Sequence, residues 1–112
     1  MDSKYKFSLR QIKCIMRQLF DVLDYLYEKK ILHRDIKCSN ILLSNRHHVK
    51  LADFGLARSY QSYDGRDLNC DMTNNVITMW YKPPELLLGA VKYSSGVDIW
   101  SVGEFYSYIV LI

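Results

Sequence analysis

A long series of apolar residues at spacings of three and four constrains the fold of this chain more than any other sequence feature. It begins after Ser8, and its members are Leu9, Ile12, Met16, Leu19, Phe20, Leu23, Leu26 and Tyr27. This spacing predicts one amphipathic helix over residues 9–29, with an apolar face toward a core and a solvated opposite face. Ser8 and Gln11 have the spacing of a capping box, which favours a helix start here.

Shorter patterns predict the remaining elements. Two apolar runs at 41–43 and 49–51 flank turn-forming residues and predict a hairpin, with His47 and His48 as exposed residues at its tip rather than metal ligands. A short helix is predicted at 85–88, before Gly89. A last helix is predicted from Val97, and its apolar residues on every side indicate burial all round.

Composition restricts the classes of function. With 112 residues the chain forms at most one domain, and its net charge of +3 without basic clusters gives little support for binding nucleic acid. Cys14, Cys38 and Cys70 are too widely spaced to predict a disulfide framework or a zinc site. The cysteine pattern favours a reducing compartment, and because no apolar stretch approaches about 18 residues, no membrane segment is expected.

Three motifs occur in a diagnostic order. His33-Arg34-Asp35 is followed by Lys37 and Asn40, then by Asp53-Phe54-Gly55, and finally by Pro83-Pro84-Glu85. Together they resemble the catalytic and activation segments of a eukaryotic protein kinase. The resemblance covers nearly the whole chain, from the helix before the catalytic loop into the buried helix after the activation segment.

The resemblance implies a fold and a domain. The expected fold class is α+β, mainly α: residues 1–112 would form part of a kinase C-terminal lobe, with a small β-hairpin beside the catalytic loop. The Gly-rich loop, the strand lysine and the adenine-binding hinge would lie upstream of Met1, so the N-terminal lobe is expected to be absent.

The resemblance also implies the cofactors, ATP and Mg²⁺, and a set of catalytic residues. Asp35 would accept the proton of the substrate hydroxyl, and Lys37 would add positive charge beside the γ-phosphate. Asn40 and Asp53 would supply oxygen ligands to Mg²⁺. Leu42 would pack under the adenine.

Three further residues have positioning roles in kinases similar to this one. His33 and Phe54 would stack in the core that orients Asp53, and ordinary core packing is the alternative. Asp98 would hold the backbone of the catalytic loop. Without the other motifs, a solvated aspartate at a helix start would be the better interpretation of Asp98.

A narrower resemblance points to one branch of the kinases. Lys37 and Thr78 follow the serine/threonine pattern. The sequences HRDIKCSNILL at 33–43, KLADFGLAR at 50–58 and VITMWYKPPELLL at 76–88 resemble cyclin-dependent kinases, most closely the transcriptional branch. This implies a cyclin partner in a full-length relative, the RNA polymerase II C-terminal domain as a protein substrate, and a nuclear location.

The activation segment carries the regulatory and substrate residues that this resemblance implies. Residues 59–75 form a 17-residue stretch with little periodicity, which is typical of a functional or disordered loop. Thr73 aligns with the activation-loop phosphosite, and Arg34 and Arg58 match two of its arginine partners. The pocket for a proline after the phosphorylated residue would comprise Val76, Ile77, Thr78 and Lys82, with Lys82 where arginine is usual.

The end of the chain departs from the family pattern. After Gly103, Glu104 replaces a small or apolar residue, and Tyr108 stands at an acidic position. This indicates a truncated gene product in which a carboxylate lies at a normally buried site. Three interpretations remain open: part of a catalytic cyclin-dependent kinase, a non-catalytic binding module, and a nucleic-acid binder.

Overall fold

The computed structural model describes residues 6–59, 77, 79–90 and 94–112. The described fold is mainly helical with a small hairpin, as expected from the sequence, and it has a second small antiparallel sheet that the sequence did not predict. Its helices and strands are α1 (Leu9–Glu28), β1 (Ile31–Leu32), β2 (Ile41–Leu43), β3 (Val49–Leu51), β4 (Arg58–Ser59), α2 (Pro84–Leu87) and α3 (Gly96–Leu111). Two 3₁₀ turns, Cys38–Asn40 and Met79–Tyr81, complete the described elements.

Helix α1 begins at the predicted capping box. The Ser8 N–H donates to Gln11 Oε1 at 2.8 Å, and the Gln11 N–H donates to Ser8 Oγ at 3.2 Å. The apolar face that is actually buried is narrower than predicted: Ile12, Ile15, Leu19 and Leu26 form it. Leu9, Phe20 and Tyr27 are 66%, 51% and 49% exposed, so their assignment to the core was wrong. They lie beside the buried face of α1, which α3 and the hairpin cover.

The predicted hairpin is present, and it packs on α1. Strands β2 and β3 pair antiparallel with Ile41 opposite Leu51. Gln18 of α1 donates to the His47 carbonyl at 2.7 Å and accepts from the Val49 N–H at 2.9 Å. His48 is exposed as predicted, whereas His47 is half-buried because its ring lies 2.9 Å from the Gln11 amide. In residues 6–59, 77, 79–90 and 94–112, no three His, Cys, Asp or Glu side chains form a metal-binding group.

The short helix α2 ends at a glycine. It spans Pro84–Leu87, and Gly89 follows with φ of +90°, which side chains with a Cβ rarely adopt. The Ala90 N–H donates back to the Glu85 carbonyl at 2.9 Å and closes the helix end. The prediction of a glycine stop is therefore confirmed.

Helix α3 packs into the described core through one of its faces only. Val97, Val102, Phe105 and Ile109 are buried; the exposed residues are Ile99, Trp100, Tyr106, Tyr108, Val110 and Leu111. The prediction that this helix is buried all round is wrong for the described residues, because α1 and the Met79–Tyr81 turn cover a single face. None of the helices in the described ranges is long and apolar enough to span a membrane.

Glu104 was expected at a buried site. It is half-exposed and lines an open cleft of about 540 Å³ together with Lys37 and Tyr81. The carboxylate therefore keeps access to solvent, and the expected burial is wrong for the described structure.

Candidate active site

The backbone of residues 33–35 is held by a buried carboxylate of α3. Asp98 is 3% exposed and accepts from the His33 N–H at 2.8 Å and from the Arg34 N–H at 3.0 Å. Burial raises the pKa of Asp98, and the two N–H donors partly oppose this rise. The expectation that Asp98 anchors the loop is confirmed, and the alternative of a solvated helix-start aspartate is excluded by its burial.

The Asp98 anchor leads to a stability prediction. We expect Asp98→Asn to lower the free energy of unfolding of residues 1–112 by about 1–3 kcal/mol, because only one of the two buried N–H groups keeps an acceptor. Denaturant unfolding measures this loss, with the exposed Asp21→Asn as the matched control. Equal stability of the Asp98→Asn variant and the control would show that the anchor is not needed.

His33 connects the loop to the segment after β3. The Asp35 N–H donates to His33 Nδ1 at 3.1 Å, so the ring proton lies on Nε2, which donates to the Ala52 carbonyl at 2.9 Å. The Phe54 ring meets the His33 ring edge-on, with centroids 4.7 Å apart. The predicted contact of His33 with Phe54 is thus present, but the rings meet edge-on rather than stacked. Phe54 is 46% exposed, so its expected place in the core is wrong for the described structure.

Two polar side chains converge on Asp35. Lys37 Nζ lies 3.5 Å from Asp35 Oδ1, and Asn40 Nδ2 donates to Asp35 Oδ2 at 3.1 Å and to the Asp35 carbonyl at 2.7 Å. Asp35 and Asn40 are buried, and Lys37 is half-buried. Since Asn40 uses Nδ2 for both of these bonds, they do not engage its Oδ1 atom, which is of the oxygen type that Mg²⁺ prefers.

Asp53 occupies a special backbone conformation. Its φ is +58°, and its Oδ1 accepts from the Gly55 N–H at 3.1 Å. A Cβ at Gly55 would lie 3.1 Å from the same Oδ1 atom, so glycine at this position allows the turn. Asp53 is exposed, which leaves its carboxylate accessible to a cation.

Arg34 connects the two motifs. It has φ of +67°, and its Nε donates to the Leu56 carbonyl at 2.8 Å. Arg58 lies in β4, opposite Leu32 of β1. Both arginines therefore lie on or beside the His33–Asp35 loop, whereas Thr73 lies outside the described residues.

The other predicted site residues differ in how far they are exposed. Leu42 is 52% exposed in β2, and Lys82 is half-buried. Ile77 is 5% exposed and belongs to the core cluster of Leu32, Leu86 and Val97. Val76 and Thr78 lie outside the described residues, as do Cys70 and most of the 59–75 stretch.

Sequence reasoning missed Tyr81. Its hydroxyl lies beside Cys38 of the catalytic loop, and its carbonyl accepts from Ser101 of α3. No local pattern marks such a residue, because its partners lie 43 and 20 residues away along the chain.

A buried aspartate that contacts a lysine and an asparagine, together with a second aspartate on a glycine turn, matches the arrangement that the resemblance to a kinase C-terminal lobe implies. The chain belongs to the protein kinase family: the protein kinase domain model matches residues 1–111.

Curated relatives identify the branch to which the chain is similar. It is 54% identical over 102 residues to cyclin-dependent kinase C-2 of Oryza sativa subsp. japonica, covering 91% of this chain and 19% of that protein. It is 60% identical to cyclin-dependent kinase 12 of Drosophila melanogaster, and the match covers 80% of this chain and 7% of that protein. It is 48% identical to the CTD kinase subunit alpha of Schizosaccharomyces pombe, and that match covers 92% of this chain and 17% of that protein. The chain thus spans about a fifth or less of these relatives.

A solved structure supports the same assignment. The chain superposes on a chain of the yeast RNA Pol II CTD kinase CTDK-1 complex with a TM-score of 0.86 and 44% identity. The match covers 96% of this chain and 34% of that one. The predicted resemblance to cyclin-dependent kinases of the transcriptional branch is therefore confirmed.

Proposed function

We propose that this chain is the catalytic-loop part of a cyclin-dependent serine/threonine kinase, which transfers the γ-phosphate of ATP to Ser or Thr of protein substrates. One observation carries the proposal: Asp35, Lys37 and Asn40 converge on a loop whose backbone is bound by the buried Asp98. Residues 1–112 are accordingly proposed as part of one kinase domain, completed by an N-terminal lobe.

The proposed mechanism assigns one role to each side chain. Asp35 accepts the proton of the substrate hydroxyl and orients the oxygen toward the phosphate. Lys37 balances the Asp35 charge and would offset the negative charge that develops on the transferred group. Asn40, through Oδ1, and Asp53 would hold Mg²⁺, and the bound ion would neutralise part of the phosphate charge. Leu42, half-exposed beside the loop, would form the floor under the adenine.

Regulation and specificity are proposed for the activation segment. Thr73 would be the phosphosite, and its phosphate would pair with Arg34 and Arg58. Val76 and Ile77, with Thr78 and Lys82, would form the pocket for a proline after the phosphorylated residue. Arg34 supports this role because it already bridges the catalytic loop and the segment after Asp53.

The partners proposed for the complete protein follow from its relatives. A cyclin would bind it, and the substrate would be the C-terminal domain of RNA polymerase II in the nucleus. The names CTD kinase subunit alpha and CTD kinase CTDK-1 complex support this assignment.

The test uses a chimeric protein, called here the completed kinase. In it, residues 1–112 replace the matching segment of the S. pombe CTD kinase subunit alpha, and the protein is purified with that kinase's partner subunits. We expect transfer of phosphate from Mg²⁺-ATP to a Ser-Pro peptide, and much slower transfer to the matched Ser-Ala peptide. A folded completed kinase that transfers no phosphate, beside an active host kinase, would favour the non-catalytic binding module instead.

A further inference from the structure

The hydroxyl of Tyr81 makes two contacts with a single residue of the catalytic loop. It accepts from the Cys38 N–H at 3.3 Å and donates to Cys38 Sγ at 3.3 Å. One contact uses a lone pair of the oxygen and the other uses its proton, so both hydrogen-bonding capacities are directed at Cys38. The phenol is therefore fixed in orientation as well as in position.

The contact supplies an acceptor to the Cys38 N–H, which has no acceptor within its own turn. Cys38 begins the 3₁₀ turn Cys38–Asn40, and its N-cap, Lys37, makes no side-chain capping bond. The first N–H groups of a helical turn have no acceptor within the turn. Tyr81 Oη supplies that acceptor from another part of the chain, so it caps the turn that carries Asn40.

Tyr81 is itself firmly held. Its ring packs against both core clusters, and its carbonyl accepts from Ser101 Oγ at 2.9 Å. Burial, followed by the hydrogen bond to the Cys38 side chain, raises the pKa of Tyr81 to about 12. The hydroxyl thus stays protonated, and able to donate, throughout the physiological pH range.

We infer that Tyr81 is a positioning residue for phosphotransfer: its hydroxyl caps the Cys38–Asn40 turn and so sets the placement of Lys37 and Asn40 relative to Asp35. This inference rests on the proposed function. Lys37 precedes the capped turn and pairs with Asp35 at 3.5 Å, and Asn40 ends the turn and donates to Asp35 at 3.1 Å. A shift of Cys38 therefore moves both neighbours of the catalytic carboxylate.

The kinetic test is a double-mutant cycle in the completed kinase. Tyr81→Phe removes only the hydroxyl, and we expect a kcat about three- to tenfold lower with little change in KM for the peptide, as the loss of the hydrogen bond that caps the turn implies. Cys38→Pro removes both partners of the hydroxyl. Proline suits the first position of a helical turn, and Lys37 before it is extended, with φ of −159° and ψ of 168°.

The cycle separates positioning from general structural damage. In the Cys38→Pro background, Tyr81→Phe is expected to have almost no further effect on kcat, because the hydroxyl no longer has a partner. An equal loss of kcat from Tyr81→Phe in both backgrounds would overturn the inference, as would an unchanged kcat in the single variant. A completed kinase that is inactive before any substitution would instead contradict the proposed function.

A second readout does not depend on activity. Because the native pKa of Tyr81 lies above the value of 10.0 for an unburied tyrosine, its contribution to stability is complete below pH 10 and is lost as the pH rises toward 12. Residues 1–112 are therefore expected to lose stability between pH 10 and 12 more steeply than their Tyr81→Phe variant. Identical alkaline profiles would show that the pKa of Tyr81 is not raised in the folded chain, which would contradict a hydroxyl that is both buried and hydrogen-bonded to Cys38.

Discussion

Purified residues 1–112, assayed without any other lobe, are expected to transfer no measurable phosphate from Mg²⁺-ATP to a Ser-Pro peptide. Asp35 and Asn40 are buried, but three described site residues form an open surface: Asp53 is exposed, Leu42 is 52% exposed and Phe54 is 46% exposed. Among the residues that the structure describes, no second wall faces this surface to bind the phosphates of a nucleotide or to exclude water. Both are needed for electrostatic stabilisation of the transition state.

The size of the effect follows from the cost of poor alignment. Holding reactants in the productive geometry is worth about 7–11 kcal/mol, which corresponds to a factor of about 10⁵ to 10⁸ in rate. We also expect self-association, because α3 exposes Trp100, Tyr106, Val110 and Leu111.

The assay compares the unmodified chain with Asp35→Asn, and light scattering reports its size. Background phosphate release that is equal in the two chains is the expected result. Asp35-dependent transfer by a monodisperse monomer would show that this surface alone is sufficient for catalysis.

In the completed kinase, Asp35→Asn is expected to lower kcat by about 10²- to 10⁴-fold, the usual contribution of a general base. The amide is nearly the same shape but cannot accept the substrate proton, and it no longer carries the charge that pairs with Lys37. Binding of Mg²⁺-ATP should change less, because the role proposed for Asp35 is at the hydroxyl rather than at the nucleotide.

Two matched variants make this result specific. Asp53→Asn, which retains one carbonyl oxygen, should mainly raise KM for Mg²⁺-ATP. Asp21→Asn, an exposed substitution on α1, should leave the kinetics unchanged. Near-normal turnover by Asp35→Asn would reject its assignment as the base.

Local chemistry explains why the sequence alone could predict much of the framework. Helix α1 was predicted at 9–29 and spans Leu9–Glu28, because its period of apolar residues and its capping box depend only on neighbours within one or two turns. The hairpin and the glycine stop of α2 were predicted for the same reason. The order of the three motifs was enough to identify the family.

Burial could not be predicted with the same success. Leu9 and Phe20 have the correct helical period, but they are exposed because no described element packs over them. The same holds for the uncovered side of α3. Periodicity describes the faces of a helix, whereas burial depends on which partners are present.

The sequence by itself thus determined the helices and the hairpin, which depend on short-range spacing. Its motifs also indicated the candidate catalytic residues and Asp98, through their resemblance to a protein kinase. Tertiary structure decided how those residues are held: Asp98 reaches His33 across 65 positions, and Tyr81 reaches Cys38 across 43. Hydrogen bonds of this kind require the packed core to bring distant segments within about 3 Å, and no local pattern in the chain encodes that approach.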